Sequence, residues 1–216
     1  MMTHPDMDHM GGLLVTIPQI PPTRLWWNPV EVQSTYLNQI LSQASKAQAA
    51  IVPVDRRLEP LRLGPCRLQF LNRPQPAGTD NQVHRNINNA SVVCRLDFGA
   101  KSFLFTGDLE REGEDELLAT GLPLKADVLK VGHHGGKTST SRRFLEAVKP
   151  EVAVILNEYP AARGSPNREV MARLETAGVC IFWTGRDGAV IINTDGKTLS
   201  INTGRKTISS GQLHSQ

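Results

Sequence analysis

Thr3-His4-Pro5-Asp6-Met7-Asp8-His9-Met10-Gly11-Gly12 places four potential metal ligands, His4, Asp6, Asp8 and His9, within six positions, spaced H-x-D-x-D-H and followed by two glycines. Imidazole and carboxylate alternating on a short turn can converge on one or two divalent ions, the commonest protein device for making hydroxide at neutral pH. Taken alone, the stretch could also be a polar N-terminal loop. Two further groups argue against that. Asp108 in Phe105-Thr106-Gly107-Asp108, and His133-His134 in Val131-Gly132-His133-His134-Gly135, each follow an apolar run, where strand ends deliver ligands. Such ligands need a fold that gathers several strand ends along one edge. Asp108 is suited to sit between two ions ~3.5–4 Å apart, and Gly11, Gly12, Gly107 and Gly135 let backbone approach ions and substrate.

Outward from these clusters the chain alternates strand-like and helix-like runs. Leu37, Ile40, Leu41, Ala44 and Ala47 share one helical face over residues 34–48, with Ser34 as N-cap. Strands are expected at 51–54, 66–71, 92–98 and 102–105, the last two joined through Gly99-Ala100-Lys101. Pro74 to Asn89, rich in Pro, Asn, Gly and Gln, reads as a surface loop. Further on, strands at 126–131, 152–156 and 179–183 alternate with two helices. The first, 141–148, is closed by Lys149-Pro150, and the second, 167–177, is stopped by Gly178. A hairpin of 188–193 and 197–202 turns at Asp195-Gly196. Residues 204–216 are expected to be a disordered tail, leaving one domain over 1–203. Mixed strands, crossover helices and a terminal hairpin predict an α/β layered domain.

Bulk properties narrow the chemistry only slightly. A length of 216 residues supports a core without staples. Lys and Arg exceed Asp and Glu to leave +3, a mildly basic balance that permits a nucleic-acid partner without arguing for one. Cys66, Cys94 and Cys180 are isolated within apolar runs, so buried thiols are expected rather than disulfides or a CxxC metal site. No stretch approaches the ~20 apolar residues of a membrane span, and no signal-peptide pattern opens the chain.

HxDxDHxGG, then FTGD, then HHG followed by a Lys/Ser/Thr run resembles the metallo-β-lactamase superfamily. The usual first motif of that superfamily is HxHxDH, and Asp6 stands here at its second histidine. With Asn88-Asn89-Ala90-Ser91, Leu129 to Ser139, Phe144 to Pro150 and Arg186 to Val190, the chain is most similar to the C-terminal domain of ComEC DNA-uptake proteins, over about residues 3–203. The resemblance implies an αββα sandwich and a metal-dependent phosphodiesterase. Its substrate would be DNA, as a single strand, hydrolysed during uptake by hydroxide on two divalent ions. One ion would be held by His4, Asp6 and Asn88, the other by Asp8, His9 and His134, with Asp108 bridging. Asp8 and His133 would serve catalysis, His133 by contacting a phosphate or moving a proton. Carboxylate and amide oxygen at the first site suit manganese as well as zinc.

Lys137, Thr138, Ser139 and Thr140 could donate hydrogen bonds to phosphate oxygens, or form a polar turn whose Ser141 caps the next helix. Trp26 and Trp27 could stack on bases or anchor a core. Two positions depart from the resemblance: Gly136 stands for a serine, and Gly164-Ser165-Pro166 for Gly-His-Pro. In that family several strands precede the first motif. The expectation is therefore a sandwich lacking its N-terminal strands, with an open edge and with opening ligands prone to fraying. The family domain is attached to an inner-membrane DNA channel, so a channel domain or a missing upstream segment is the expected partner beside DNA. Two other readings remain open: a stand-alone hydrolase of a small phosphodiester or thioester, and a non-catalytic remnant.

Overall fold

The H-x-D-x-D-H stretch becomes a helical turn rather than a strand. In a computed structural model of the chain, residues 1–30, 32–72, 86–158, 164–204 and 207–209 are described. Met7–Met10 (α1) and Leu13–Gln19 (α2) follow one another through Gly11 and Gly12, with Met10 and Ile17 turned into the core. The residues ahead of them are tied down: Met2 N–H donates to Trp26 O at 2.9 Å, and Val92 N–H donates to Thr3 O at 2.8 Å. His4 is thereby held between two neighbouring segments, against the expectation of fraying.

Arg24–Trp27 (β1) pairs in parallel with Ala50–Pro53 (β2), and Thr35–Lys46 (α3) makes the crossover. The apolar spacing of α3 buries Leu37, Ile40 and Ala44, and Ser34 Oγ accepts the Leu37 N–H at 3.2 Å. Alternation along β1 splits its side chains. Leu25 and Trp27 join the cluster under α2 and α3, while Trp26 packs with Val54, Phe70, Val92 and Cys94 on the other side. Both indoles are half-buried against the core, in keeping with the anchoring alternative.

The main sheet holds seven strands in chain order: Leu61–Leu63 (β3), Cys66–Phe70 (β4), Cys94–Phe98 (β5), Lys101–Phe105 (β6), Val128–Lys130 (β7), Val152–Ile155 (β8) and Cys180–Trp183 (β9). Pairs from β3 to β6 are antiparallel and pairs from β6 to β9 are parallel. The change follows from the connections. A tight turn with Gly99 at φ +58° joins β5 to β6, whereas Arg111–Leu118 (α4), Arg142–Val148 (α5) and Arg168–Thr176 (α6) cross over between the parallel strands. These three helices cover one face, where Leu104, Leu129, Ala153 and Ile155 share a cluster with Leu117, Phe144, Val148 and Leu174. Removing a side chain such as the fully buried Phe144 would cost about 3–5 kcal/mol.

On the opposite face Val128, Val152 and Phe182 meet Leu199 and Ile201 of a second sheet. Its strands are Val190–Thr194 (β10), Leu199–Thr203 (β11) and Thr207–Ser209 (β12). The order is thus helices, main sheet, small sheets, and α2 with α3: the αββα layering that the resemblance implied.

Three local features differ from the sequence reading. Thr207–Ser209 pairs with β11 inside the stretch expected to be a tail; residues 210–216 lie outside the described residues. Ile87–Ala90 forms a 3-10 turn with Asn89 and Ala90 buried, where a surface loop was expected; the rest of that loop, 74–85, lies outside the described residues. The turn is held because Asn89 Oδ1 accepts the Glu110 N–H at 2.9 Å. All three cysteines are free as expected, but only Cys94 is buried, its thiol pushed up to about 12, while Cys66 and Cys180 are half-buried.

Candidate metal centre

Asp108 and His134 meet because β6 and β7 are parallel neighbours, so the loops leaving their C-terminal ends share one edge of the sheet. Gly107 is required at this edge. Its φ is +55°, and a Cβ there would lie 2.7 Å from Ser91. Ser91 Oγ in turn accepts the Asp108 N–H at 2.8 Å and fixes where the carboxylate starts.

Asp108 Oδ2 lies 3.2 Å from both His9 Nε2 and His134 Nε2, and Asp8 Oδ2 lies 3.2 Å from His134 Nε2. One ligand atom from each of Asp8, His9, Asp108 and His134 falls within 4.8 Å of the others. His134 Nδ1 is 2.6 Å from Leu156 O, and His9 Nδ1 is 3.0 Å from Thr3 Oγ1. With Nδ1 protonated toward these oxygens, both Nε2 lone pairs point into the cluster, 3.3 Å apart. Two facing lone pairs repel unless a proton or a cation lies between them, so the donor set fits a divalent ion. Burial alone would raise the Asp108 carboxyl, but in the metal-free fold a proton on Nε2 of His134 or His9 donates to it, and with the charge of Lys130 this holds it well below the usual carboxylate range.

The second expected set is looser. His4 is fully buried, with Nδ1 at 3.2 Å from both Thr3 Oγ1 and Ser91 Oγ. Its Nε2 is buried without a hydrogen-bond partner and lies 3.6 Å from Asp6 Oδ2. An orphaned imidazole nitrogen beside a half-exposed carboxylate again fits a cation. Burial, helped by His9, pushes the His4 imidazole down to about 4. Asn88 is tied by the nitrogen end of its amide: Nδ2 donates to Glu110 Oε1 at 2.7 Å, as does Asn86 Nδ2 at 2.8 Å.

Glu110 and Lys130 are functional candidates that the sequence reading missed. Glu110 Oε1 sits 3.4 Å from His133 Nδ1, out of line for a hydrogen bond. Burial would raise its carboxyl, but bonds from Thr138, Asn88 and Asn86 bring it below its usual value. Lys130 Nζ donates to Gly107 O at 2.6 Å and reaches Asp108 Oδ1 at 3.3 Å. A lone lysine inside the apolar run Val128-Leu129-Lys130-Val131 was the available signal.

The segment after His134 divides. Lys137 lines the cleft, exposed, with Nζ 3.2 Å from Glu169 Oε1. The Thr138 side chain bonds Glu110. Ser139 is corrected: buried, its hydroxyl donates to Gly132 O at 2.7 Å and Gly136 O at 2.9 Å, so it pins the loop and cannot meet substrate. Thr140 and Ser141 give their N–H groups to the buried carboxylate of Glu114, and Ser141 Oγ caps α5. For Ser139 and Thr140 the polar-turn alternative holds. His133 and His134 themselves carry left-handed backbone, at φ +46° and +52°.

Asp6, Asp8, Asp108, His133 and His134 line a cleft of about 680 Å³ together with Leu156, Asn157, Glu158 and Ser165. Four carboxylates against one lysine make its floor acidic, so an anionic substrate needs cations there.

A model of the metallo-β-lactamase superfamily matches residues 1–157. ComE operon protein 3 of Bacillus subtilis is 29% identical over 191 residues, covering 88% of this chain and 24% of that protein. Recombination protein 2 of Haemophilus influenzae is 39% identical over 129 residues, covering 60% and 16%, and competence protein ComA of Neisseria gonorrhoeae is 39% identical over 104 residues, covering 48% and 15%. The chain spans about a quarter or less of the length of these relatives. Among solved structures, CmlA, a diiron β-hydroxylase from Streptomyces venezuelae, shares 18% identity at a TM-score of 0.45, over 75% of this chain and 35% of its own.

Proposed function

This chain belongs to the metallo-β-lactamase superfamily, as a domain of ComEC type, and from that premise we propose that it is a metal-dependent phosphodiesterase that cleaves DNA. The observation that carries this reading is the convergence of Asp8, His9, Asp108 and His134 within 4.8 Å. His4 and Asp6 would hold a second ion beside them, in keeping with the unpartnered His4 Nε2. Divalent ions there, manganese or zinc, would polarise a phosphoryl oxygen and lower the pKa of a water.

The chain's own residues supply the rest. Asp8, the most exposed carboxylate of the cluster, faces the cleft and orients what enters beside His134. His133 lines the cleft with Nδ1 turned toward Glu110, so a carboxylate backs the imidazole that contacts a phosphate or moves a proton. Lys137 offers the cationic contact to the phosphate backbone, in exchange for its exposed pairing with Glu169. An acidic cleft that becomes cationic when loaded suits phosphodiesters over neutral amides. The relatives are competence and recombination proteins by name, which supports DNA as substrate and work beside an uptake channel. No described helix here is long and apolar enough to cross a membrane.

The test is hydrolysis of single-stranded DNA, bis-p-nitrophenyl phosphate and nitrocefin by the manganese-loaded chain. Cleavage of both phosphodiesters and not of nitrocefin is expected, with DNA binding weakening steeply with salt. Activity on nitrocefin alone overturns the proposal. Activity on the small diester without salt-dependent DNA binding favours a small-molecule hydrolase.

A further inference from the structure

We propose that Lys130 is a built-in cation of the centre, a positioning residue that reserves one oxygen of Asp108 and so makes the two metal sites unequal. The inference rests on the two-ion reading above. Lys130 ends β7, only 13% of its side chain is exposed, and its ammonium is fixed by Gly107 O at 2.6 Å and Asp108 Oδ1 at 3.3 Å. The other oxygen, Oδ2, faces His9 and His134. The carboxylate is therefore divided: one oxygen belongs to the Asp8–His9–Asp108–His134 cluster, the other to a lysine.

Bridging through both oxygens would require an ion to displace the ammonium. Bridging through Oδ2 alone would bring the second ion to His4 and Asp6 against a fixed positive charge that little water screens. Simple counting agrees. Asp6, Asp8 and Asp108 contribute −3 and Lys130 contributes +1, a sum of −2 that one divalent ion cancels. The first ion enters an anionic site. The second meets a neutral one, beside His4 and Asp6.

Manganese titration of the full chain, followed by calorimetry and electron paramagnetic resonance, reads this without any turnover. The wild-type chain is expected to bind one ion tightly and a second at least about tenfold more weakly. Lys130→Met, and separately Lys130→Gln, should tighten the second ion about tenfold and bring in the spin-coupled two-manganese signal at lower metal. The direction separates charge from structure: a merely loosened edge would weaken both ions, whereas loss of an opposing charge strengthens one. Two equal sites in the wild type, or weaker or unchanged second-ion binding in both variants, overturns the role of Lys130 while leaving the metal centre standing. A wild-type chain that binds no manganese overturns both. Thermal unfolding identifies a variant that fails to fold, in which case the other variant decides.

Discussion

The two halves of the candidate centre are built differently. Asp8, His9, Asp108 and His134 come from two strand-end loops and one helical turn, and each imidazole has its far nitrogen oriented by an oxygen. His4 and Asp6 come from one stretch of backbone and lie 3.6 Å apart. The first half is fixed by the topology of parallel strands. The second is fixed mainly by the burial of one histidine. A centre made this way can hold one ion by geometry and recruit another by charge.

Removing Asp108 should break the comparison most completely, because both halves lean on it. Asp108→Ala is expected to weaken manganese binding by at least on the order of 100-fold and to remove phosphodiester cleavage, measured by calorimetry and initial rates. His4→Ala should instead abolish only the weaker binding event. If both variants lose both ions equally, the halves are not distinct.

A smaller effect is expected behind the ions. Glu110→Gln keeps the bonds to neighbouring amides but removes the charge facing His133, and should lower kcat by about 10–100-fold with KM and metal content unchanged. A change confined to KM would show that Glu110 only shapes the cleft.

The buried histidine gives a pH test of the looser half. In the metal-free fold His4 stays neutral down to about 4, while in the unfolded chain it takes a proton near its ordinary 6.5. The unfolded state therefore binds more protons in that window, so this contribution to stability is present above pH 6.5 and is lost as pH falls toward 4. The loss amounts to at most about 3 kcal/mol. Chemical denaturation of the metal-free chain at pH 7 and pH 4.5 reads it, with His4→Gln as the variant that should flatten the slope. The smallest effect belongs to the rim: Lys137→Ala should raise KM for DNA only a few-fold and make it slightly less salt-dependent, since one exposed phosphate contact is worth about 1 kcal/mol or less.

What could be read from the chain follows from how local each signal is. The helix at Thr35–Lys46 announces itself by spacing and by Ser34, and Arg168–Thr176 by Asn167 and Gly178. The ligand motifs were visible because each lies within a few residues. Arg111–Leu118 was not, because Arg-Glu-Gly-Glu-Asp-Glu has no apolar stripe and its buried face includes Glu114, satisfied only by the distant Thr140 and Ser141. Glu110 and Lys130 were missed for the same reason: their roles depend on Asn86, Asn88, His133 and Asp108, brought near by the fold. Ser139 shows the reverse error. A hydroxyl beside a motif looks available until its two carbonyl partners are seen.

His133 and His134 sit in succession with left-handed backbone, a conformation costing an ordinary side chain about 1 kcal/mol or more and glycine almost nothing. Glycine at either position would relax the turn, so stability alone would favour losing both imidazoles. The two imidazoles are thus held at the cleft at a cost in backbone conformation that a glycine turn would not carry.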